Sequence, residues 1–258
     1  MKTFKDAMQE SMQIMLDTIS FNAPEGITTG YPELDNLTRG MRKGSLSMLA
    51  SPPSLGKTAF ALNIVGNLMG RKPEMPILYC SGLSHTELAF RLLTIISGVV
   101  CGYDRDHHGD EISRLTGCVA EQQNYPLFFE ERGTPFEKVV GLCSEKHIGF
   151  LIFDPARQES LAELRRLAQE LDIPVLALVS LKRSESTAKI MDAADTVIHL
   201  VRDRHETKND HGAPVSLVVA RNRFGLCGTC RLNFIPQTMR FENDHDMEDN
   251  ENKQEKTR

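Results

Sequence analysis

The chain has 258 residues, of which 40% are hydrophobic, and a formal net charge of -5 at pH 7. This length and apolar content suffice for one large α/β domain or two small ones with a sizeable core. The mild acidity argues against a large nucleic-acid-binding surface, although a local basic channel in an oligomer would not change the total. Because the chain contains no signal peptide and no apolar run of membrane-spanning length, we expect a soluble, cytoplasmic protein without a membrane partner.

An amphipathic stretch opens the chain. Through residues 4–20, apolar residues recur at helical spacing, at Met8, Met12, Met15 and Ile19. This helix is either part of the chain's own core or an arm that packs on a neighbouring subunit, because residues 22–26 have the composition of a linker. We expect three parts: an N-terminal linker or docking helix at 1–22, one large domain at 23–242 and a disordered charged tail at 243–258.

Strand and helix signals then alternate along the chain. The strand-like runs are Leu46–Ala50, Ile77–Cys80, Leu127–Phe129, Phe150–Phe153, Val175–Val179, Val197–Val201, Val215–Ala220 and Cys230–Phe234. The helix-like runs are 57–69, 84–98, 110–122, 135–146 and 158–171. This alternation predicts an α/β fold with a mostly parallel twisted sheet flanked by helices, and a C-terminal antiparallel hairpin closes it.

A phosphate-binding loop is predicted between the first strand and the helix that follows it. The segment Ser-Pro-Pro-Ser-Leu-Gly-Lys-Thr ends in Gly56, Lys57 and Thr58, and Ser51 stands where such loops usually begin with glycine. Backbone N–H groups and the helix N-terminus would surround the phosphates of ATP. Lys57 would reach the β- and γ-phosphates, and the Thr58 hydroxyl would ligate Mg²⁺. The predicted nucleotide-binding residues are Ser51, Pro52, Pro53, Ser54, Leu55, Gly56, Lys57, Thr58 and Ala59.

A carboxylate ends a later apolar strand. The run from Ile148 to Asp154 is what a Walker B strand looks like, since such a strand delivers an aspartate to the Mg²⁺ beside the P-loop. We therefore predict Asp154 as a catalytic residue and, with Thr58, as a metal ligand. The alternative is an ordinary core strand whose final Asp caps the next helix.

Two arginines follow another strand. Arg221 and Arg223 are one residue apart at the end of Val215–Ala220, so their side chains point the same way. They would act as arginine fingers on a neighbouring subunit's γ-phosphate. A solvated basic hairpin is the competing interpretation.

Three further features carry weaker signals. Lys182 and Arg183 follow a strand and would either sense phosphate or DNA or simply be solvated. Cys227 and Cys230 form one CxxC pair without a second ligand pair, and His107-His108 lie in a charged loop, so we predict no metal at either place.

Together these motifs resemble one family. Gly26-Ile-Thr-Thr-Gly-Tyr-Pro-Glu-Leu-Asp35, the P-loop, the Ile148–Asp154 strand, Ala194-Asp195-Thr-Val-Ile-His and the ending that starts at Arg221-Asn-Arg-Phe-Gly are similar to the C-terminal RecA-like domain of the replicative DNA helicase DnaB. The resemblance covers roughly residues 5–242. It implies an ATP-dependent ring, expected to be hexameric, that acts on single-stranded DNA with other replication proteins. In it, residues like 4–20 dock on the adjacent protomer, and Arg221 and Arg223 act in trans.

The chain also departs from this family. The family's catalytic glutamate after the second core strand aligns with Gly82, and a glycine cannot activate water. Glu87 lies in the following helix, where we do not expect it to substitute. Arg157 stands where the family has a glutamine that contacts the γ-phosphate. The loops Pro155–Ser160 and Ser184–Ala188 look short for DNA-binding loops, which predicts weaker backbone contacts.

Three functions remain open at this point. The first is a minimal DnaB-like helicase or translocase that hydrolyses ATP between subunits. The second is a paralogue deficient in hydrolysis, which binds ATP and is a structural or regulatory partner of a helicase ring. The third, a RadA- or KaiC-like recombinase-type ATPase, fits the Arg-Asn-Arg-Phe-Gly ending less well.

Overall fold

The computed structural model describes residues 3–21, 26–100, 108–131, 133–181, 191–202 and 212–243. Within them the helices are α1 Phe4–Phe21, α2 Pro32–Thr38, α3 Lys57–Arg71, α4 His85–Ser97, α5 His108–Gln122, α6 Phe136–Glu145 and α7 Leu161–Leu171. The strands are β1 Leu46–Ser51, β2 Ile77–Ser81, β3 Leu127–Glu131, β4 Phe150–Asp154, β5 Val175–Ser180, β6 Thr196–Arg202, β7 Ala213–Asn222, β8 Gly228–Ile235 and β9 Arg240–Asn243.

The nine described strands form one mixed sheet in the order β3-β2-β4-β5-β1-β6-β7-β8-β9. The first six strands in this order, which end with β6, pair with one another in parallel. From β6 onward, β7, β8 and β9 are added in antiparallel pairs. The prediction of a mostly parallel sheet with an antiparallel C-terminal end is confirmed. The antiparallel part is larger than the predicted hairpin, because β6 pairs with β7 and β9 adds a further strand.

Apolar residues pack on both faces of the sheet. One cluster contains Phe60, Tyr79 and Ile152, under α3 and α4. The other contains Val139, Leu151 and Leu164, under α6 and α7. Because neighbouring strand residues point to opposite faces, Leu151 and Ile152 enter different clusters. Burying one apolar side chain of this size stabilises the fold by about 1.5–3 kcal/mol. Because both faces of the sheet carry such side chains, helices on both faces are needed to keep them from water.

Helix α1 exposes those of its large apolar side chains that the structure describes. Phe4, Met8, Met12 and Met15 are all exposed, with Phe4 at 81%. The alternative in which this helix belongs to the chain's own core is therefore wrong. No described helix combines the length and the apolar character needed to cross a bilayer.

Several predictions fall on residues outside the described ranges and stay predictions. They concern the linker residues 22–25, His107, Cys101, Lys182 and Arg183, the loop Ser184–Ala188 and the tail beyond Asn243. The five described cysteines are free thiols.

Candidate nucleotide-binding site

The predicted phosphate loop connects the central strand β1 to α3. β1 ends at Ser51 and α3 begins at Lys57, as the strand–loop–helix pattern requires. Gly56 precedes the helix with φ of 102°, a conformation that side chains rarely adopt. A Cβ at Gly56 would also approach the Phe241 ring to 3.3 Å. Glycine is thus the residue that this turn accommodates.

Lys57 is folded back against its own loop. Its Nζ donates to the carbonyl oxygens of Ser51 and Pro52 and contacts the Ser51 hydroxyl, each at 3.1 Å. The side chain is buried at 7% exposure. Burial lowers the pKa of the Lys57 amine, and the nearby Asp154 charge partly offsets this. The ammonium is therefore held by oxygen atoms that phosphate oxygens can replace.

Asp154 lies at the end of β4, beside the first turn of α3. The Thr58 hydroxyl donates to Asp154 Oδ2 at 2.7 Å, and the Tyr79 hydroxyl donates to the same oxygen at 3.2 Å. Burial raises the pKa of the Asp154 carboxyl, while these two hydrogen bonds oppose the rise. A hydroxyl and a carboxylate in contact are the hard oxygen ligands that Mg²⁺ prefers, so Thr58 and Asp154 fit this cation.

Arg221 and Arg223 lie at the other end of the sheet. Asn222 at the end of β7 pairs with Thr196, and Thr196 pairs with Ser47 near the start of β1. The P-loop leaves from the opposite end of β1, and six strand residues span about 17 Å. The structure therefore brings Lys57, Thr58 and Asp154 together and keeps the two arginines away from them.

Acidic residues of the same chain hold both arginines. Arg223 Nη1 contacts Asp195 Oδ1 at 3.0 Å, and Arg165 Nη2 contacts the same oxygen at 2.6 Å. The other Asp195 oxygen accepts from the Leu46 backbone N–H at 3.1 Å. Arg221 Nη1 donates to Asp192 Oδ1 at 2.6 Å and to the Met191 carbonyl at 2.8 Å. These contacts orient both arginines at this end of the sheet.

The residue at the position of the expected glutamate is Gly82, which has no side chain. Gly82 follows β2, and its N–H donates to the Asp154 carbonyl at 3.0 Å. Glu87 is on α4, where it pairs with Arg91 at 2.6 Å. In the strand register, Ser81 pairs with Asp154 on one side and with the exposed Glu131 on the other. Arg157 is exposed.

The sequence did not point to Tyr79 or to a role for Asp195. Tyr79 looks like any aromatic residue of a buried strand, and only its contact with Asp154 reveals it. Asp195 lies in one of the motifs that carry the resemblance, but its bonds to Leu46, Arg165 and Arg223 join residues that are far apart along the chain.

A phosphate-type loop on the central strand of this sheet, with a buried aspartate two strands away, defines a RecA-like P-loop domain. The chain belongs to the family described as DnaB-like helicase C terminal domain, whose model matches residues 26–145 and 157–243. This confirms the resemblance and favours it over a RadA- or KaiC-like protein. The unmatched gap includes Asp154, so the role of this residue rests on its place in the fold.

Individual relatives agree with this family. The chain is 30% identical over 251 residues to the replicative DNA helicase DnaB of Treponema pallidum, covering 84% of this chain and 56% of the relative. It is 28% identical to the replicative DNA helicase DnaB of Geobacillus stearothermophilus, with the same coverage. The chain thus spans a little over half the length of these curated relatives.

Solved structures show the same fold. The ATPase domain of G40P has a TM-score of 0.82 at 21% identity, covering 94% of this chain and 99% of that one. A DnaB-like replicative helicase, described with its interactions with primase, has a TM-score of 0.77 at 21% identity and covers 94% of this chain and 67% of that one.

Proposed function

We propose that this chain binds ATP with Mg²⁺ and works as the motor domain of a ring-shaped DnaB-like helicase or translocase in DNA replication. The observation that carries the proposal is the distance between two sets of residues on the same sheet. The P-loop lies at one end of β1, and the two arginines lie at the other end. One subunit holds half of an ATPase site at each end, and two adjacent subunits complete one site.

The residues 51–59 and Asp154 form the half that holds the nucleotide. Lys57 exchanges its bonds to Ser51 and Pro52 for oxygen atoms of the β- and γ-phosphates. Thr58 and Asp154 would hold Mg²⁺, and the cation would supply positive charge beside the transferred phosphoryl group. The backbone N–H groups at the start of α3 face the phosphates.

Arg221 and Arg223 form the half that acts on the neighbour. Their distance from their own P-loop supports action in trans, since about 17 Å of strand separates the two ends of β1. Binding to a neighbour's γ-phosphate replaces their contacts with Asp192 and Asp195.

Assembly uses α1. We propose residues 1–22 as a docking helix on the neighbouring subunit and residues 23–242 as the ATPase domain, with a charged tail at 243–258. The exposed apolar side chains of α1 support this, because such a stripe is stable when another surface covers it. Removing residues 1–22 is expected to lower the oligomer mass in light scattering, and an unchanged mass would count against docking.

The proposed partners are inferred from the relatives of this chain. Those relatives are replicative DNA helicases, and we propose that this chain forms a hexameric ring that acts on single-stranded DNA in the cytoplasm. One of the solved structures with the same fold is that of a DnaB-like replicative helicase and its interactions with primase. We propose contacts with other replication proteins for this chain on that ground.

A second function has support from one observation. Gly82 offers no side chain to a water, and Glu87 is paired with Arg91. A subunit of this kind would bind ATP and assemble, but hydrolyse slowly, as a regulatory or structural partner in a helicase ring.

ATP turnover by the purified protein, with and without single-stranded DNA, separates the two functions. The motor predicts DNA-stimulated turnover that Lys57→Ala abolishes. Tight ATP binding without turnover would establish the hydrolysis-deficient alternative. Absence of ATP binding by the wild-type protein would exclude both.

A further inference from the structure

Tyr79 is a fully buried residue of β2, with a relative exposure of 0%. Its ring packs in the cluster beneath α3 and α4, at 6.5 Å from the Phe129 ring. In the register Tyr79 lies beside Ile152, two residues before Asp154. Two strand residues rise by about 7 Å, which matches the length of a phenol side chain lying along the sheet. The hydroxyl group therefore ends at the Asp154 carboxylate.

The two oxygen atoms of Asp154 have different surroundings. Both Thr58 Oγ1 and Tyr79 OH donate to Oδ2, at 2.7 and 3.2 Å. Within the described residues, no hydrogen bond reaches Oδ1. A carboxylate oxygen has two lone-pair directions, so the two hydroxyls saturate Oδ2. Oδ1 is the oxygen that stays available to a cation or to water bound to it.

We propose that Tyr79 is a positioning residue: it fixes the Asp154 carboxylate through Oδ2 and leaves Oδ1 available to the Mg²⁺ that would accompany a bound nucleotide. The inference rests on the proposed ATP site. With Thr58 as its one partner, the Asp154 carboxylate would be free to rotate about that hydrogen bond. The Thr58 hydroxyl would also have to direct a lone pair towards the cation. The Tyr79 hydroxyl supplies a second fixed point from the rigid core. It also stabilises a carboxylate charge that burial disfavours.

A purely structural interpretation has to be separated from this one. A buried tyrosine needs a hydrogen-bond partner, and Asp154 would serve that need without any effect on metal binding. The structural interpretation predicts a loss of stability that changes nucleotide binding equally with and without Mg²⁺. Positioning predicts a loss that is confined to the Mg²⁺-dependent part of binding.

The test is Tyr79→Phe, which removes one oxygen atom and keeps the ring. N-methylanthraniloyl-ATP binding is titrated in excess chelator and then across a range of Mg²⁺ concentrations. We expect unchanged affinity in chelator and an Mg²⁺ requirement about 10–100-fold higher, the usual effect of removing an outer partner of a metal ligand. Thermal unfolding in chelator confirms that the variant is folded.

Tyr125→Phe is the matched control, because the buried Tyr125 hydroxyl has no hydrogen-bond partner among the residues that the structure describes. It is expected to keep the Mg²⁺ requirement of the wild type. An unchanged requirement in Tyr79→Phe would overturn the positioning role and leave the proposed function intact. A wild type whose nucleotide binding does not depend on Mg²⁺ would overturn both.

Discussion

The two ends of the central sheet differ in how firmly they hold their charged residues. At the P-loop end, Lys57 and Asp154 are 7% and 8% exposed and are surrounded by fixed partners. At the other end, the Arg221 and Arg223 side chains are 31% and 51% exposed. The Arg221–Asp192 pair lies at the surface, where an ion pair contributes about 0–1 kcal/mol, so another anion readily replaces it. Arg223 is the more exposed of the two arginines, although its partner Asp195 is 3% exposed. Under the proposed function, this difference suits one end to holding a ligand and the other to offering its arginines to a partner.

The strongest test of this comparison is Arg223→Ala. Loss of an arginine finger is expected to lower ATP turnover about 10³–10⁵-fold, because the charge that it stabilises is greatest in the transition state. Nucleotide affinity is expected to persist, since Arg223 is far from its own P-loop. Arg231→Ala, at another exposed arginine of the same hairpin, is the control.

Mixing decides whether Arg223 acts in trans. A ring of Arg223→Ala and Lys57→Ala subunits contains some interfaces with an intact P-loop from one subunit and an intact arginine from the next. We expect turnover to recover in the mixture. No recovery, in a mixture shown to co-assemble, would place the arginine in its own subunit's site.

Gly82→Glu tests the P-loop end. If the missing carboxylate limits hydrolysis, its restoration is expected to raise turnover by about 10²–10⁴-fold, the contribution of a positioned general base. Gly82 does not have the positive φ that would disfavour a side chain. Glu131→Gln, on the edge strand in register with Ser81, the residue before Gly82, is expected to have no effect. A large loss in Glu131→Gln would instead identify Glu131 as the base.

Asp154→Asn separates stability from metal binding. Burial raises the pKa of Asp154 above its ordinary 3.8, so the folded state binds a proton more tightly than the unfolded state does. Between these two pKa values, stability of the nucleotide-free protein falls as pH rises. Asn removes this penalty, and we expect an unfolding temperature a few degrees higher at neutral pH, together with loss of Mg²⁺-dependent nucleotide binding. An unfolding temperature below that of the wild type would show that the charge itself stabilises the fold.

The smallest effect is expected from Asp192→Asn. The Asp192 side chain is 85% exposed, and its contact with Arg221 lies at the surface. Its loss is expected to change the free energy of unfolding by less than about 1 kcal/mol and to leave turnover within a factor of about two. Urea unfolding and ATP turnover measure the two quantities. A large fall in turnover would show that Asp192 positions Arg221 and does more than neutralise it.

The sequence predicted most strands and helices of the central domain, and three elements differ from the prediction. Helix α2 has seven residues, too few for a periodic apolar pattern. Strand β9 has four residues and forms by pairing with β8 after a turn. The predicted helix 158–171 begins as a short 3₁₀ turn at Gln158–Ser160. Short elements are set by their neighbours, which local patterns do not specify.

The phosphate-loop motif and the alternation of strands and helices can be predicted from the sequence alone, because both depend on residues close together in the chain. Gly56, Lys57 and Thr58 are adjacent, and the apolar pattern of a helix or strand repeats every few residues. The contacts between distant residues depend on the tertiary structure. Tyr79 meets Asp154 across 75 positions, and Leu46 meets Asp195 across 149. Only the order and direction of the strands put the phosphate loop and the arginines at opposite ends of one sheet.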